Sequence, residues 1–106
     1  MMLLTKQIRK NLPKLYAQDG KGDETIVHVK FFCPWNQWTW YATEGEAILD
    51  EDGKEIDFRF FGLVKGHETE LGYFCLSELK RVRKYTLGIE RDMHFGQKTL
   101  GHCKQL

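Results

Sequence analysis

No apolar run in this sequence approaches the roughly 20 residues of a membrane-spanning helix, so no membrane span is expected. Met1–Leu4 is apolar, but Lys6, Arg9 and Lys10 interrupt it before a signal-peptide core can form, and a cytoplasmic protein is expected. Cysteine is scarce and badly spaced for covalent or metal chemistry. Cys33, Cys75 and Cys103 form no CxxC half-site, and an odd number of distant thiols is a poor disulfide framework. Two are expected as small buried hydrophobes and the third as a tail thiol. An excess of one charge is missing too. The net charge of +1 excludes a wholesale mimic of DNA and a protein that binds nucleic acid by overall charge alone. Nucleotide and acyl-transfer signatures are also absent. There is no Gly-x-Ser-x-Gly elbow, and Gly62-x-x-x-Gly66 is too short for a Walker loop and lacks its Lys-Ser/Thr ending. No cofactor is implied.

What is present fits one soluble domain spanning residues 1–106. With 42% hydrophobic and 29% charged residues, the chain matches an ordinary globular composition and not a disordered or fibrous one. The charges, however, are segregated. Glu44–Asp57 holds seven carboxylates against Lys54 alone, a local charge of −6 that leaves +7 for the rest, concentrated at Lys6–Lys14 and Lys80–Lys84.

Thr5 caps a predicted helix whose apolar positions Leu4, Ile8, Leu12 and Leu15 recur at helical spacing until Pro13 ends it. Residues 18–24 form a polar loop. Thr25–Cys33 and Trp38–Thr43 read as two strands, being rich in β-branched and aromatic residues. Glu46–Leu49 and Glu55–Val64 flank Asp52-Gly53, a dipeptide suited to a hairpin turn. Leu71–Leu76 is a further strand. Ser77 is expected to cap a second helix through Tyr85 with Leu76, Leu79 and Val82 buried, and Ile89–Phe95 to form a last strand. Residues 96–106 read as a loosely held tail. The order implies an α+β domain, with a mainly antiparallel sheet of four to six strands and two short helices.

Several uncommon blocks recur in order. They are Leu4-Thr5-Lys6 with Leu12-Pro13, Lys30-Phe31-Phe32, Trp38-Thr39-Trp40-Tyr41-Ala42-Thr43-Glu44, Gly62 to Phe74, Leu76-Ser77-Glu78-Leu79 and Ile89-Glu90-Arg91-Asp92. Through them the chain resembles the bacterial domain of unknown function 2958 over nearly its whole length. Thr69 and Cys75 depart from that pattern, standing where it leads one to expect proline and a small hydroxyl residue. The resemblance implies a small bacterial protein associated with plasmids and other mobile elements, and it supplies no catalytic residues.

Four groups of residues are candidates for chemistry. His67, Glu68 and Glu70 share a turn and combine an imidazole with carboxylates, the ingredients of a metal or acid–base site. The spacing is not that of a helical HExxH pair, and a structural turn is the simpler reading. Glu90, Arg91, Asp92 and His94 join them only if the last strand lies beside this turn. Aromatic residues crowd Phe31–Tyr41. Trp38 and Trp40 face one side of a strand and Tyr41 the other, so they are either core or a stacking platform for unpaired bases. Lys80, Arg81, Arg83 and Lys84 sweep an arc of about 160° if helical, either a solvated face or a phosphate-binding one. Asp50, Glu51 and Asp52 form an exposed acidic hairpin tip. The leading functional reading is a non-enzymatic module that contacts nucleic acid, single-stranded before double-stranded, or a protein that handles it. An inhibitor of a host defence nuclease acting through the acidic tip, and a small metal-dependent enzyme using the His67 turn, are the alternatives.

Overall fold

The chain enters its first helix through a side-chain cap. In the computed structural model, which describes residues 1–106, the Thr5 hydroxyl accepts a hydrogen bond from the Ile8 N–H at 3.2 Å and opens α1 (Lys6–Asn11). Pro13 pushes Leu12 out of the helical region to ψ 122, which ends the helix where the sequence predicts. Leu4 and Leu12 are buried and Ile8 packs half-buried beside them, so the helical spacing does deliver an apolar stripe.

Five strands build the main sheet. They are β2 (Val29–Phe32), β3 (Thr39–Leu49), β4 (Glu55–Lys65), β5 (Thr69–Cys75) and β8 (Glu90–Arg91), in the order β5-β4-β3-β2-β8, with every neighbouring pair antiparallel. The fold is thus the expected α+β domain with a dominant antiparallel sheet. The turn between β3 and β4 also lies where Asp52-Gly53 predicts it, with Gly53 at φ +79. The predicted strand over Thr25–Cys33 is divided, because β1 (Ile26–Val27) pairs with β9 (Lys98–Thr99) while β2 joins the main sheet. The predicted last strand shrinks to the two residues of β8.

Both faces of the sheet are covered. One packs Val29, Phe31, Trp40, Ala42, Phe58, Phe60 and Phe74 against Leu3, Leu4, Leu12, Leu79 and Ile89. Phe60 is fully buried at its centre, stacked on Phe74 at 5.2 Å and set edge-on to Phe31 at 5.4 Å. The other face packs Val27, Tyr41 and Leu63 against Leu100 and Cys103. This second cluster corrects the expectation of a loose tail from residue 96. Lys98 and Thr99 form β9, the Thr99 hydroxyl caps His102, and α3 (Leu100–Lys104) lies on the sheet with Cys103 fully buried. Of the three apolar residues in the polar tail Leu106 is exposed, but Leu100 and Cys103, three positions apart, suffice for a one-turn contact.

The loop expected over residues 18–24 includes a 3₁₀ turn at Gly22–Glu24, and it is tied down. The Gln18 carboxamide donates to the carbonyls of Ile26 and Thr43, both at 2.9 Å, and accepts from the Ile26 N–H at 2.8 Å.

The second helix, α2 (Leu76–Arg81), is shorter than predicted and is capped differently. Cys75, not Ser77, occupies the N-cap position. A thiol is a poor acceptor there, so neighbouring carboxylates take the free N–H groups. Glu78 accepts from the Cys75 N–H at 3.1 Å. Asp57, reaching over from β4, accepts from the Ser77 N–H at 3.1 Å and the Ser77 hydroxyl at 2.5 Å. Burial pushes the Asp57 pKa up. The Ser77 hydroxyl, the backbone N–H groups of Phe58 and Ser77 and the Arg81 guanidinium outweigh it and hold the carboxyl below the ordinary aspartate value.

Two outcomes check this packing. Leu100→Ala is expected to lower the unfolding free energy by about 2–5 kcal/mol in chemical denaturation, the usual range for a buried leucine. A change under about 0.5 kcal/mol would mean that α3 contributes as little as a loose tail. Asp57→Ala is expected to cost about 1 kcal/mol at pH 7, the size of a lost helix cap. Because its folded-state pKa is depressed, the stability Asp57 contributes is complete above the ordinary aspartate value near 4 and is lost as pH falls through the folded value. The variant should therefore show a shallower decline of melting temperature between about pH 5 and pH 2. An acid limb as steep as that of the unaltered protein would rule out this contribution.

Candidate functional site

Lys80, Arg81, Arg83 and Lys84 stay together, although not as a helix face. The helix stops at Arg81, and Val82 leaves it at ψ 107. Arg83 and Lys84 form β6 (Arg83–Lys84), which pairs with β7 (Leu87–Gly88) in the register Arg83↔Gly88 and Lys84↔Leu87. Tyr85 turns this small hairpin at φ +56, and its side chain stands 92% exposed at the tip. Val82, expected in the buried stripe, is exposed as well.

None of the four cations lies within ion-pair distance of a carboxylate. Elsewhere Arg9 pairs with Glu55, Lys30 with Asp92 and Lys104 with Asp23. The hydrogen bonds that the Arg81 and Arg83 side chains do make go to neutral oxygens. Arg81 donates to the Ser77 carbonyl at 3.3 Å and Arg83 to the Thr86 carbonyl at 3.3 Å. Lys80 and Arg83 line one shallow cavity of about 290 Å³, whose base includes Leu79 and Ile89. Leu79 and Ile89 are core residues, so both ends of the segment that carries the cations are anchored in the protein interior.

A second cavity opens beside this segment. It measures about 220 Å³ and is lined by Cys33, Asn36, Trp38, Trp40 and Val82. Trp40 is 8% exposed, within the core but at the cavity wall. Trp38 lies half-buried against it, with ring centres 5.9 Å apart and planes at 35°. Its far side is closed by the turn between β4 and β5. The His67 ring meets Trp38 edge-on at 5.3 Å, and a Cβ on Gly66 would come within 2.3 Å of the indole. Glycine at 66 is therefore required by the close approach of the ring.

The sequence expectation for the tryptophans was core or platform, and the structure divides them. Trp40 is core with one edge open, Trp38 is the partly open wall, and Tyr41 is removed to the opposite face under α3. There the Tyr41 ring lies between the Lys30 and Lys65 ammonium groups at 5.9 and 5.7 Å, and burial raises the pKa of its hydroxyl. Tyr41 shares no surface with Trp38 and Trp40.

The residues of the His67 turn all lie at the surface. His67 supports Trp38, while Glu68 and Glu70 are exposed on the hairpin. Glu90, Arg91, Asp92 and His94 lie on or beyond β8, at the opposite edge of the sheet from β5. Nowhere in the structure do three His, Cys, Asp or Glu side chains come together in a group that could hold a metal ion. Asp50, Glu51 and Asp52 do form the tip of the β3–β4 hairpin. The Asp50 carboxylate accepts from the Asp52 and Lys54 N–H groups, both at 2.9 Å, leaving Glu51 and Asp52 in solvent. The three thiols are free. Cys33 and Cys103 are buried, Cys75 is half-buried, and burial raises the pKa of Cys75 and Cys103, the character of packing groups and not of nucleophiles.

Sequence reasoning missed Tyr85, Val82 and Asn36. Tyr85 was assigned to a helix end, and only the tertiary fold brings Val82 and Asn36 to the tryptophans. A family model described as a protein of unknown function (DUF2958) matches residues 3–102, while no curated protein and no solved structure matches the chain. With nearly every residue covered, the chain belongs to the DUF2958 family.

Proposed function

We propose that this protein is a non-enzymatic module that contacts nucleic acid through the segment Lys80–Gly88, and that it serves a plasmid or another bacterial mobile element, as the family resemblance implies. One observation carries the reading: four cations within five positions, none within ion-pair distance of a carboxylate, directly precede an aromatic ring presented at a hairpin tip. Like charges so close repel one another, and their position near the end of α2 favours Lys80 and Arg81 only through the helix dipole. Phosphate oxygens supply the missing counter-charge. Tyr85 adds a face on which a base can stack.

The acidic hairpin supports a second reading, an inhibitor that occupies a basic groove of a defence nuclease. Its specific support is the tip itself, where Asp50 holds the turn in shape and leaves the Glu51 and Asp52 carboxylates free.

Binding of a labelled oligonucleotide measured across salt concentrations tests the leading reading. With a single strand, each phosphate contact contributes a slope of about −0.7 in log K against log salt. Replacing Lys80, Arg83 and Lys84 by Ala is expected to weaken binding and to flatten the slope by about 2. Thermal stability should change little, since all three side chains are exposed. If the intact protein binds neither single nor double strands at low ionic strength, the nucleic-acid reading falls and the acidic tip becomes the surface to test.

A further inference from the structure

We infer that the cavity between Trp38, Trp40, Asn36 and Val82 is a pocket for one unpaired nucleobase, so that the ligand is single-stranded nucleic acid whose backbone lies on the cationic segment. This rests on the reading above and specifies its ligand. Three features of the pocket point the same way.

Size is the first. At about 220 Å³ the cavity falls below the ~300–1,000 Å³ typical of sites that enclose a whole small molecule. It suits a single planar ring system whose remaining atoms stay outside.

Its walls are the second. Four of the five lining residues are apolar, two of them tryptophans, and indole faces accept any base by stacking. Trp38 is held against Trp40 by His67 and Gly66, so the wall is formed before a ligand arrives. Neither indole N–H donates within the protein, yet no buried side-chain nitrogen or oxygen is left unpartnered, so both reach solvent.

The polar group at its rim is the third. The Asn36 side-chain oxygen accepts from the backbone N–H of Trp38 at 2.9 Å, which fixes the orientation of the carboxamide and leaves its two N–H donors uncommitted. Those donors match the ring-nitrogen and carbonyl acceptors on base edges.

The position of the pocket supplies the backbone contact. Val82 lines it, and the chain neighbours of Val82 on either side are Arg81 and Arg83. A base entering at Val82 brings its own phosphate to this cationic stretch. A duplex cannot do so without extruding the base, which costs a few kcal/mol.

The test uses the full chain and three probes of equal length: an oligothymidylate, the corresponding abasic strand with the same phosphates, and a duplex. Affinity is read by fluorescence anisotropy and the site by intrinsic tryptophan emission. The oligothymidylate is expected to bind about 5- to 150-fold more tightly than the abasic strand, the range for one stacked base, and to quench tryptophan emission. The duplex should bind more weakly than the oligothymidylate and leave the emission unchanged. Trp38→Ala should abolish most of the emission change and reduce oligothymidylate affinity toward the abasic level without altering the salt slope, and Asn36→Ala, at an exposed position, should weaken it with the fold intact. Equal binding of the abasic strand and the oligothymidylate with salt dependence retained would overturn the base pocket and leave the phosphate reading standing. Equal or tighter binding of the duplex would also overturn it. Absence of binding by all three probes would overturn both.

Discussion

The register between β3 and β4 is set by one close approach of backbone to backbone, and much of the structure depends on it. A Cβ on Gly62 would stand 1.9 Å from the Tyr41 carbonyl oxygen, so no side chain fits there. Immediately beyond, the pairing skips a residue: Ala42 lies opposite Gly62, but Glu44 lies opposite Phe61. Thr43 is the extra residue, fully buried, its hydroxyl donating to the Phe61 carbonyl at 3.0 Å. A bulge of this kind reverses which side chains face which side of the sheet. Before it, Trp40 and Ala42 point into the first core and Tyr41 into the second. After it, Gly45 and Ala47 take the first face opposite Phe60 and Phe58. Strict alternation would have driven Glu44 into a cluster of phenylalanines. The bulge sends it to the other face, where it is 4% exposed and accepts the N–H groups of Tyr16 and Gln18 at 2.8 and 3.0 Å. That bond holds Tyr16 at φ 73, a conformation an unanchored tyrosine avoids.

The same bulge explains where sequence periodicity succeeded. Trp38–Ala42 lies on its near side, so the alternation of Trp40 against Tyr41 read from the sequence is the one observed. The α1 cap and the Asp52-Gly53 turn were legible because each is decided within four or five residues. The end of α2 was not. Lys80-Arg81-Val82-Arg83-Lys84-Tyr85 contains neither glycine nor proline, and its apolar spacing is compatible with another helical turn. The helix ends because the chain must bring Ile89 back to the core that Leu79 has just entered, a demand of tertiary packing that overrides local propensity. α3 was hidden for a related reason. Two apolar residues in a polar segment carry no weight until Val27, Tyr41 and Leu63 supply the surface they cover.

Of the candidate site, the sequence showed the parts without their arrangement. The cations and both tryptophans were visible as clusters, but their proximity depends on Val82, which was expected to be buried. His67 shows the converse. An imidazole next to two carboxylates has the composition of a reactive site, and the fold uses it as the edge of an aromatic stack. Residue types define which chemistries are available. Distances decide which one the molecule keeps.

The hairpin that carries Tyr85 combines a firm base with a weak tip. Its ladder comprises two residue pairs, and Tyr85 sits at a positive φ that costs on the order of 1 kcal/mol for a residue with a side chain. A two-stranded ribbon of this size is marginal on its own. Leu79 and Ile89, both buried, pin the entering and leaving chain, so the opening motions available to the segment are confined to the residues between them. Ordering a few side chains on such a base costs any partner far less than ordering a free loop, and the tip keeps the freedom to adapt to an irregular surface. The aromatic wall next to it, by contrast, is fixed by Gly66, His67 and Trp40. On the proposed function, an adaptable electrostatic arm beside a rigid stacking surface would divide the work of recognition: the arm would contribute attraction that salt can screen, and the wall the contact that distinguishes an exposed base from a paired one.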